Sequence, residues 1–89
     1  MAWLIKIQDA AEKDISKLDR SVAKRIIAFL RDRLAPLDDP RSIGEALKGA
    51  RLGEYWKYRV GDYRIISRIE DSQITVYVVR VGSRREIYR

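Results

Sequence analysis

The sequence predicts an α+β domain, with an N-terminal strand and a helical hairpin packed on one face of an antiparallel β-sheet. Three observations predict it. Apolar residues recur at helical spacing from Ala10 to Leu34. From Tyr55 onwards they alternate with polar ones at period two. Two turn signals, Gly61-Asp62 and Asp71-Ser72, then divide the second half into strand-length pieces. A chain of 89 residues suffices for one compact domain, so residues 1–89 are expected to form a single unit.

The elements follow in order. Trp3 to Ile7 is a short apolar run, interrupted by Lys6, that reads as an opening strand joining the sheet edge. Asp9 is a plausible N-cap for a first helix carrying Ala10, Ala11, Ile15 and Leu18. Asp19 is placed to cap a second, in which Val22, Ile26, Ile27, Phe29, Leu30 and Leu34 form the apolar stripe. Pro36 and Pro40 end the helical region. Within Ser42–Gly53, the residues Ile43, Ala46 and Leu47 fit one helical turn, with Gly49 and Gly53 as punctuation. Strands are then expected from Tyr55 to Val60, Tyr63 to Glu70 and Gln73 to Val81, with Gly82 breaking the last.

Composition narrows the function. The 19 basic side chains outnumber 13 acidic ones, and thirteen of the basic residues are arginines. A planar fork of donors suits phosphate, so the excess points to nucleic acid or to an acidic protein partner. Histidine is absent, which leaves Lys, Arg, Tyr or carboxylates for any proton transfer and removes the commonest metal ligand. Cysteine is absent too, so disulfides and thiolate metal sites are excluded, and no cofactor is expected. No apolar run is long enough to cross a bilayer, and the N-terminus shows no secretory signal; a cytoplasmic location without membrane contact is the expectation.

The strand pattern places the charges. If the helices cover Trp56, Tyr58 and Val60, the opposite face of that strand shows Tyr55, Lys57 and Arg59. A two-residue hairpin at Gly61-Asp62 then sets Val60 beside Tyr63, Arg59 beside Arg64 and Lys57 beside Ile66. Like charges placed side by side destabilise a sheet, so this face is expected to have an anionic ligand. The antiparallel return of the third strand brings Val81 close to Tyr63, and with it Arg84, Arg85 and Tyr88 towards the same patch. Cations for phosphates and aromatic rings for bases suit RNA.

The runs Leu47-Lys48-Gly49, Tyr55-Trp56-Lys57-Tyr58-Arg59-Val60-Gly61-Asp62-Tyr63-Arg64 and Val78-Val79-Arg80-Val81-Gly82-Ser83-Arg84-Arg85-Glu86-Ile87-Tyr88 together resemble the RelE/ParE superfamily of toxins. The likeness covers essentially the whole chain, and Arg-Val-Gly-Asp-Tyr-Arg and the Gly-x-Arg-x-Glu-x-Tyr ending are its most specific parts. A RelE-type resemblance implies a ribosome-dependent endoribonuclease that needs no metal and cuts mRNA in the A site of the 30S subunit. It implies a cognate antitoxin that neutralises the toxin, and contact with operator DNA only through that antitoxin.

Carried over by position, Lys57 matches a catalytic strand lysine, Arg64 the arginine after the turn tyrosine, Arg84 the arginine shortly after the glycine, and Tyr88 the C-terminal tyrosine. Arg59 matches a further basic position. Tyr55 stands where some members carry a second lysine, and Ser83 where many have histidine.

Cleavage of this kind attacks the phosphate with the adjacent 2′-hydroxyl. Arginine rarely gives up a proton, which casts Arg64 and Arg84 as phosphate clamps. Neighbouring cations disfavour the charged form of Lys57, which suits a general base. Tyr88 orients or deprotonates the hydroxyl, or stacks on a base. Arg59, Tyr55 and Arg85 are candidate RNA contacts. Lys13, Lys17, Lys24 and Arg25 are candidate contacts of the helices with ribosomal RNA. Arg31 and Arg33 read as solvated helix charges. Two other readings use the same residues: a ParE-type toxin, which the resemblance implies acts on DNA gyrase, and a non-enzymatic nucleic-acid-binding module.

Overall fold

The computed structural model describes residues 2–47 and 55–87. Five strands form one mixed sheet in the order β1-β5-β4-β3-β2: β1 Leu4–Ile7, β2 Glu45–Ala46, β3 Tyr55–Val60, β4 Tyr63–Glu70 and β5 Thr75–Ser83. Two helices, α1 Asp9–Ser16 and α2 Arg20–Ala28, follow β1 and pack on the sheet, and a one-turn helix, α3 Arg84–Ile87, follows β5. The α+β architecture is the expected one. The sheet is not wholly antiparallel, however, because β1 runs parallel to β5, with Ile7 opposite Val78. Parallel neighbours cannot be joined by a tight hairpin, and here the helices and strands between β1 and β5 supply the long connection that such pairing needs.

The core lies where the two periodicities meet. Ala11, Ile26, Leu30 and Leu34 from the helices close on Tyr58, Ile65, Ile69, Val76, Val78 and Val81 from the sheet. Each fully buried aliphatic side chain here contributes about 1.5–3 kcal/mol of transfer free energy. After Ala28, α2 continues as a wider π-helical stretch, Phe29–Leu34, with the Ala35 N–H donating to the Leu30 carbonyl at 3.0 Å. Leu30 and Leu34 stay buried while Arg31, Asp32 and Arg33 remain outside. Phe29 meets the Tyr58 ring at 5.9 Å between centroids.

Several local expectations shift. The N-cap of α1 is Gln8, and Asp9 is its first helical residue. The helical turn expected around Ile43, Ala46 and Leu47 is instead a 3₁₀ turn, Pro40–Ile43, followed by β2, which pairs Glu45 with Lys57 and Ala46 with Trp56. Gly44 permits this, since a Cβ there would stand 2.8 Å from the Tyr58 ring. Lys48, Gly49 and Gly53 lie outside the described residues. The second hairpin connection is longer than Asp71-Ser72: a 3₁₀ turn covers Asp71–Gln73, and Ile74 takes a left-handed conformation at φ 49°. The last strand accordingly begins at Thr75 and continues to Ser83.

A β-bulge sits in β5. The register passes from Ser67 opposite Val78 to Ile66 opposite Arg80, leaving Val79 as the extra residue. β1 stops at this point, so the outer edge of β5 beyond Val78 has no strand beside it among the described residues. Asp14 of α1 fills that role, accepting from the Val81 N–H at 2.9 Å and from the Arg80 guanidinium at 2.8 and 3.1 Å.

Candidate functional site

The hairpin of β3 and β4 builds the site. Gly61 has φ +58° while Asp62 stays in the ordinary range, the pattern of a two-residue hairpin with glycine in its first central position. The pairs Val60–Tyr63, Arg59–Arg64 and Lys57–Ile66 fall as the strand pattern requires. Gly82 pairs with Arg64, so the end of β5 reaches the turn. There the Arg84 N–H donates to the Asp62 carbonyl at 2.8 Å, which fixes the start of α3 to the β3–β4 turn. Ser83, at the position where the resemblance expects histidine, accepts from the Glu86 N–H at 3.3 Å through its hydroxyl and so caps this last helical turn.

These elements enclose an open cleft of about 400 Å³ lined by Lys57, Arg59, Arg64 and Arg84, with Ile43, Glu45 and Tyr58. Four cations face one carboxylate. Three of the four predicted catalytic residues meet there; Tyr88, the fourth, lies outside the described residues. Arg59 and Arg64 avoid direct repulsion by separating in depth. Arg59 is exposed, whereas Arg64 is only 7% exposed and its Nη1 donates to the carbonyls of Gly61 and Tyr63, both at 3.0 Å. Arg64 thus supports the turn as well as facing the cleft. Lys57 does not stand among cations alone, because its ammonium lies 3.4 Å from Glu45.

Glu45 is the site residue that sequence reasoning missed. Nothing in the local pattern marks it, since its place beside Lys57 comes from the pairing of β2 with β3. Tyr58 forms the boundary between cleft and core. It is buried, its hydroxyl donates to the Pro40 carbonyl at 2.8 Å, and burial pushes its phenol above the ordinary range. It therefore contributes shape to the cleft rather than a titratable group.

The other predicted contacts disperse. Tyr55, at the far end of β3, is opposite Arg68 and does not line the cleft. Arg85 is exposed on α3 outside it. Lys13 is exposed on α1, and Lys17 borders a separate hollow beside Asp14, Asp19 and Glu86, an acid-rich setting for an RNA contact. Lys24 lies on the outer face of α2 near Arg20, Ile27 and Arg31. Arg25 lies on the side of α2 nearest the site, its Nη2 3.2 Å from where a Cβ on Gly61 would be. Among the described residues no group of His, Cys, Asp or Glu is arranged to hold a metal ion, and no helix is long and apolar enough to cross a membrane.

Known proteins share this fold. Residues 5–88 match the family described as the ParE toxin of the type II toxin–antitoxin system parDE. The chain is 29% identical to the toxin RelG of Mycobacterium tuberculosis over 100% of its own length and 99% of that toxin. It is 27% identical to the toxin RelE of the same organism, over 96% of this chain and 84% of that one. Among solved structures, the toxin–antitoxin complex RelBE2 of M. tuberculosis matches with a TM-score of 0.84 at 25% identity, over 93% of this chain and 92% of that one. A mutant of the Escherichia coli toxin RelE in the free state matches with a TM-score of 0.74 at 26% identity, over 99% and 92% of the two chains.

Proposed function

We propose that this chain, which belongs to the RelE/ParE superfamily as a toxin of a type II toxin–antitoxin system, is a metal-independent endoribonuclease that cuts mRNA in the ribosomal A site. The observation that supports the activity is the cleft at the β3–β4 turn, where Lys57, Arg59, Arg64 and Arg84 face a single carboxylate. Such a site attracts a polyanion and stabilises the extra negative charge of a pentacovalent phosphate. Arg84, exposed and held at its backbone by Asp62, and Arg64, held by the turn carbonyls, serve as phosphate clamps. An incoming phosphate competes with Glu45 for Lys57. Lys57, paired with the cleft carboxylate Glu45, and Tyr88 are the groups we assign to take the proton of the 2′-hydroxyl. The ribosome supplies the in-line geometry that a shallow cleft does not impose by itself.

A cognate antitoxin is the expected protein partner, as in the solved RelB–RelE complexes. An acidic amphipathic segment would pair with the cations of the cleft and cover the half-buried Ile66 beside them. A second reading, inhibition of DNA gyrase, is favoured by the parDE description of the matching family.

One experiment separates the readings. Purified toxin is added to programmed ribosomes and cut sites are mapped, in parallel with a gyrase supercoiling assay. Cuts confined to the A-site codon, abolished in Lys57→Ala and Arg84→Ala, are the expected result. Intact mRNA together with blocked supercoiling would establish the gyrase reading instead.

A further inference from the structure

The arginines of this chain divide into those that hold a carboxylate and those that do not. Arg31, Arg41, Arg68 and Arg80 each pair with an Asp or Glu at 2.7–2.8 Å. Of the arginines with no carboxylate partner among the described residues, Arg25, Arg33 and Arg59 line one open hollow of about 480 Å³ between α2 with its π-helical extension and the end of β3. Its remaining wall includes Phe29, Val60 and Gly61. Asp32 is also at its border but is engaged by Arg31, through bonds of 2.8 and 3.0 Å. Arg59 belongs to this hollow and to the cleft of Lys57, Arg64 and Arg84, so the two are continuous across a single side chain.

Resting on the nuclease reading above, we infer that this hollow is a second RNA subsite, which holds a nucleotide of the single strand flanking the scissile phosphate. The chemistry is that of a single-strand binder: guanidinium groups for the phosphate, and an apolar floor, Phe29 and Val60, for a sugar or base. Gly61 keeps the hollow open, because a side chain at that position would press on the Arg25 guanidinium. Charge complementarity selects a polyanion, and continuity through Arg59 selects the strand already lying in the cleft. The site includes Arg33, which the helical pattern alone marks only as a solvated charge.

The test uses full-length toxin and a 2′-O-methyl RNA of about ten nucleotides, long enough to pass through both sites and unable to be cut. Affinity for this RNA and for empty ribosomes is measured against salt for wild type, Arg25→Gln, Arg33→Gln and Arg20→Gln. On the RNA, the first two variants should bind roughly threefold to tenfold more weakly, with the log–log salt slope lowered by about 0.7 for each phosphate that is no longer neutralised. Arg20→Gln, which removes a charge from the same helix outside the hollow, should match wild type. Unchanged affinity in Arg25→Gln and Arg33→Gln overturns the subsite, as does an equal weakening in Arg20→Gln. So does a weakening seen only with empty ribosomes, which would assign these arginines to ribosomal RNA. Because the probe cannot be cut, a toxin that binds it through these residues yet spares ribosomal mRNA overturns the nuclease reading and leaves the subsite in place.

Discussion

The two ends of the β3–β4 hairpin use the same residue type in opposite ways. At the open end, near Tyr55 and Glu70, the cations are neutralised. Arg41 reaches from the 3₁₀ turn to grip Asp71 at 2.7 and 3.1 Å, also meets Asp39 at 3.4 Å, and lies over the Trp56 ring at 5.9 Å. Beside it Arg68 bonds Glu70 at 2.8 Å and stacks on Tyr77 at 4.5 Å. At the turn end, Arg25, Arg33, Arg59, Arg64 and Arg84 gather around Gly61 and Asp62 without a carboxylate partner among the described residues. The first end closes the fold by tying the long connections together. The second carries uncompensated charge, which opposes compactness through self-repulsion and, on the nuclease reading proposed above, is where a polyanion would bind. The same guanidinium is a staple where an aspartate or glutamate meets it and an uncompensated cation where none does.

The largest expected effect breaks the turn end. Arg84→Ala should lower mRNA cleavage on ribosomes by about 10²–10³-fold, the usual consequence of deleting a donor aimed at developing charge. Its melting temperature should match wild type, because the Arg84 side chain is exposed and the bond to Asp62 is made by the backbone. Arg64→Ala should lose activity to a similar extent and also about 1 kcal/mol of stability, since the buried guanidinium's two hydrogen bonds to the turn carbonyls are lost. Equal stability in the two variants, measured by urea unfolding, would contradict this division of labour between the two arginines.

The paired end should respond in the opposite manner. Arg41→Ala should cost about 1–2 kcal/mol, through removal of the ion pair and of the packing on Trp56, in a group only partly shielded from solvent. Cleavage at a temperature well below unfolding should change little. A large drop in activity with unchanged stability would show that the 3₁₀ turn does more than anchor β2.

Acid should act on the paired carboxylates as well. Burial raises the Asp14 pKa, but the Arg80 and Val81 hydrogen bonds and the charges of Arg80 and Lys17 outweigh it, and the group ends below its ordinary 3.8. A carboxylate depressed in the folded state contributes stability above its unfolded pKa and loses it as pH falls through the folded value. Stability should therefore drop as pH is lowered below about 4, and Asp14→Asn should flatten that drop while lowering stability at neutral pH. An identical acid limb in mutant and wild type would show that Asp14 does not drive the acid response.

The smallest effect is a gain. Ile74 is β-branched, 38% exposed and held at φ 49° in the β4–β5 connection. Ile74→Gly should raise stability by roughly 0.5–1 kcal/mol by removing that conformational cost. Thermal unfolding at a lower temperature than wild type would mean instead that the isoleucine side chain contributes more packing than its exposure suggests.

Much of this was legible in the residues themselves. The alternation in Trp56, Tyr58 and Val60 against Lys57 and Arg59, with Gly61-Asp62 as the turn, determined a register that the structure reproduces pair by pair. Helical stripes ending in Leu30 and Leu34 determined which face is covered. These are properties of periods and turns, and they act over a few residues. What only the tertiary structure decided depends on segments far apart in sequence: β1 lying parallel to β5, Asp14 completing an edge that no strand occupies among the described residues, Glu45 arriving beside Lys57, and Arg33 meeting Arg59 across a hollow. Local pattern tells which side of an element a charge is on. Whether that charge meets a carboxylate or stays uncompensated depends on what the rest of the chain brings up against it, and here that difference separates the paired end of the hairpin from the candidate site at its turn.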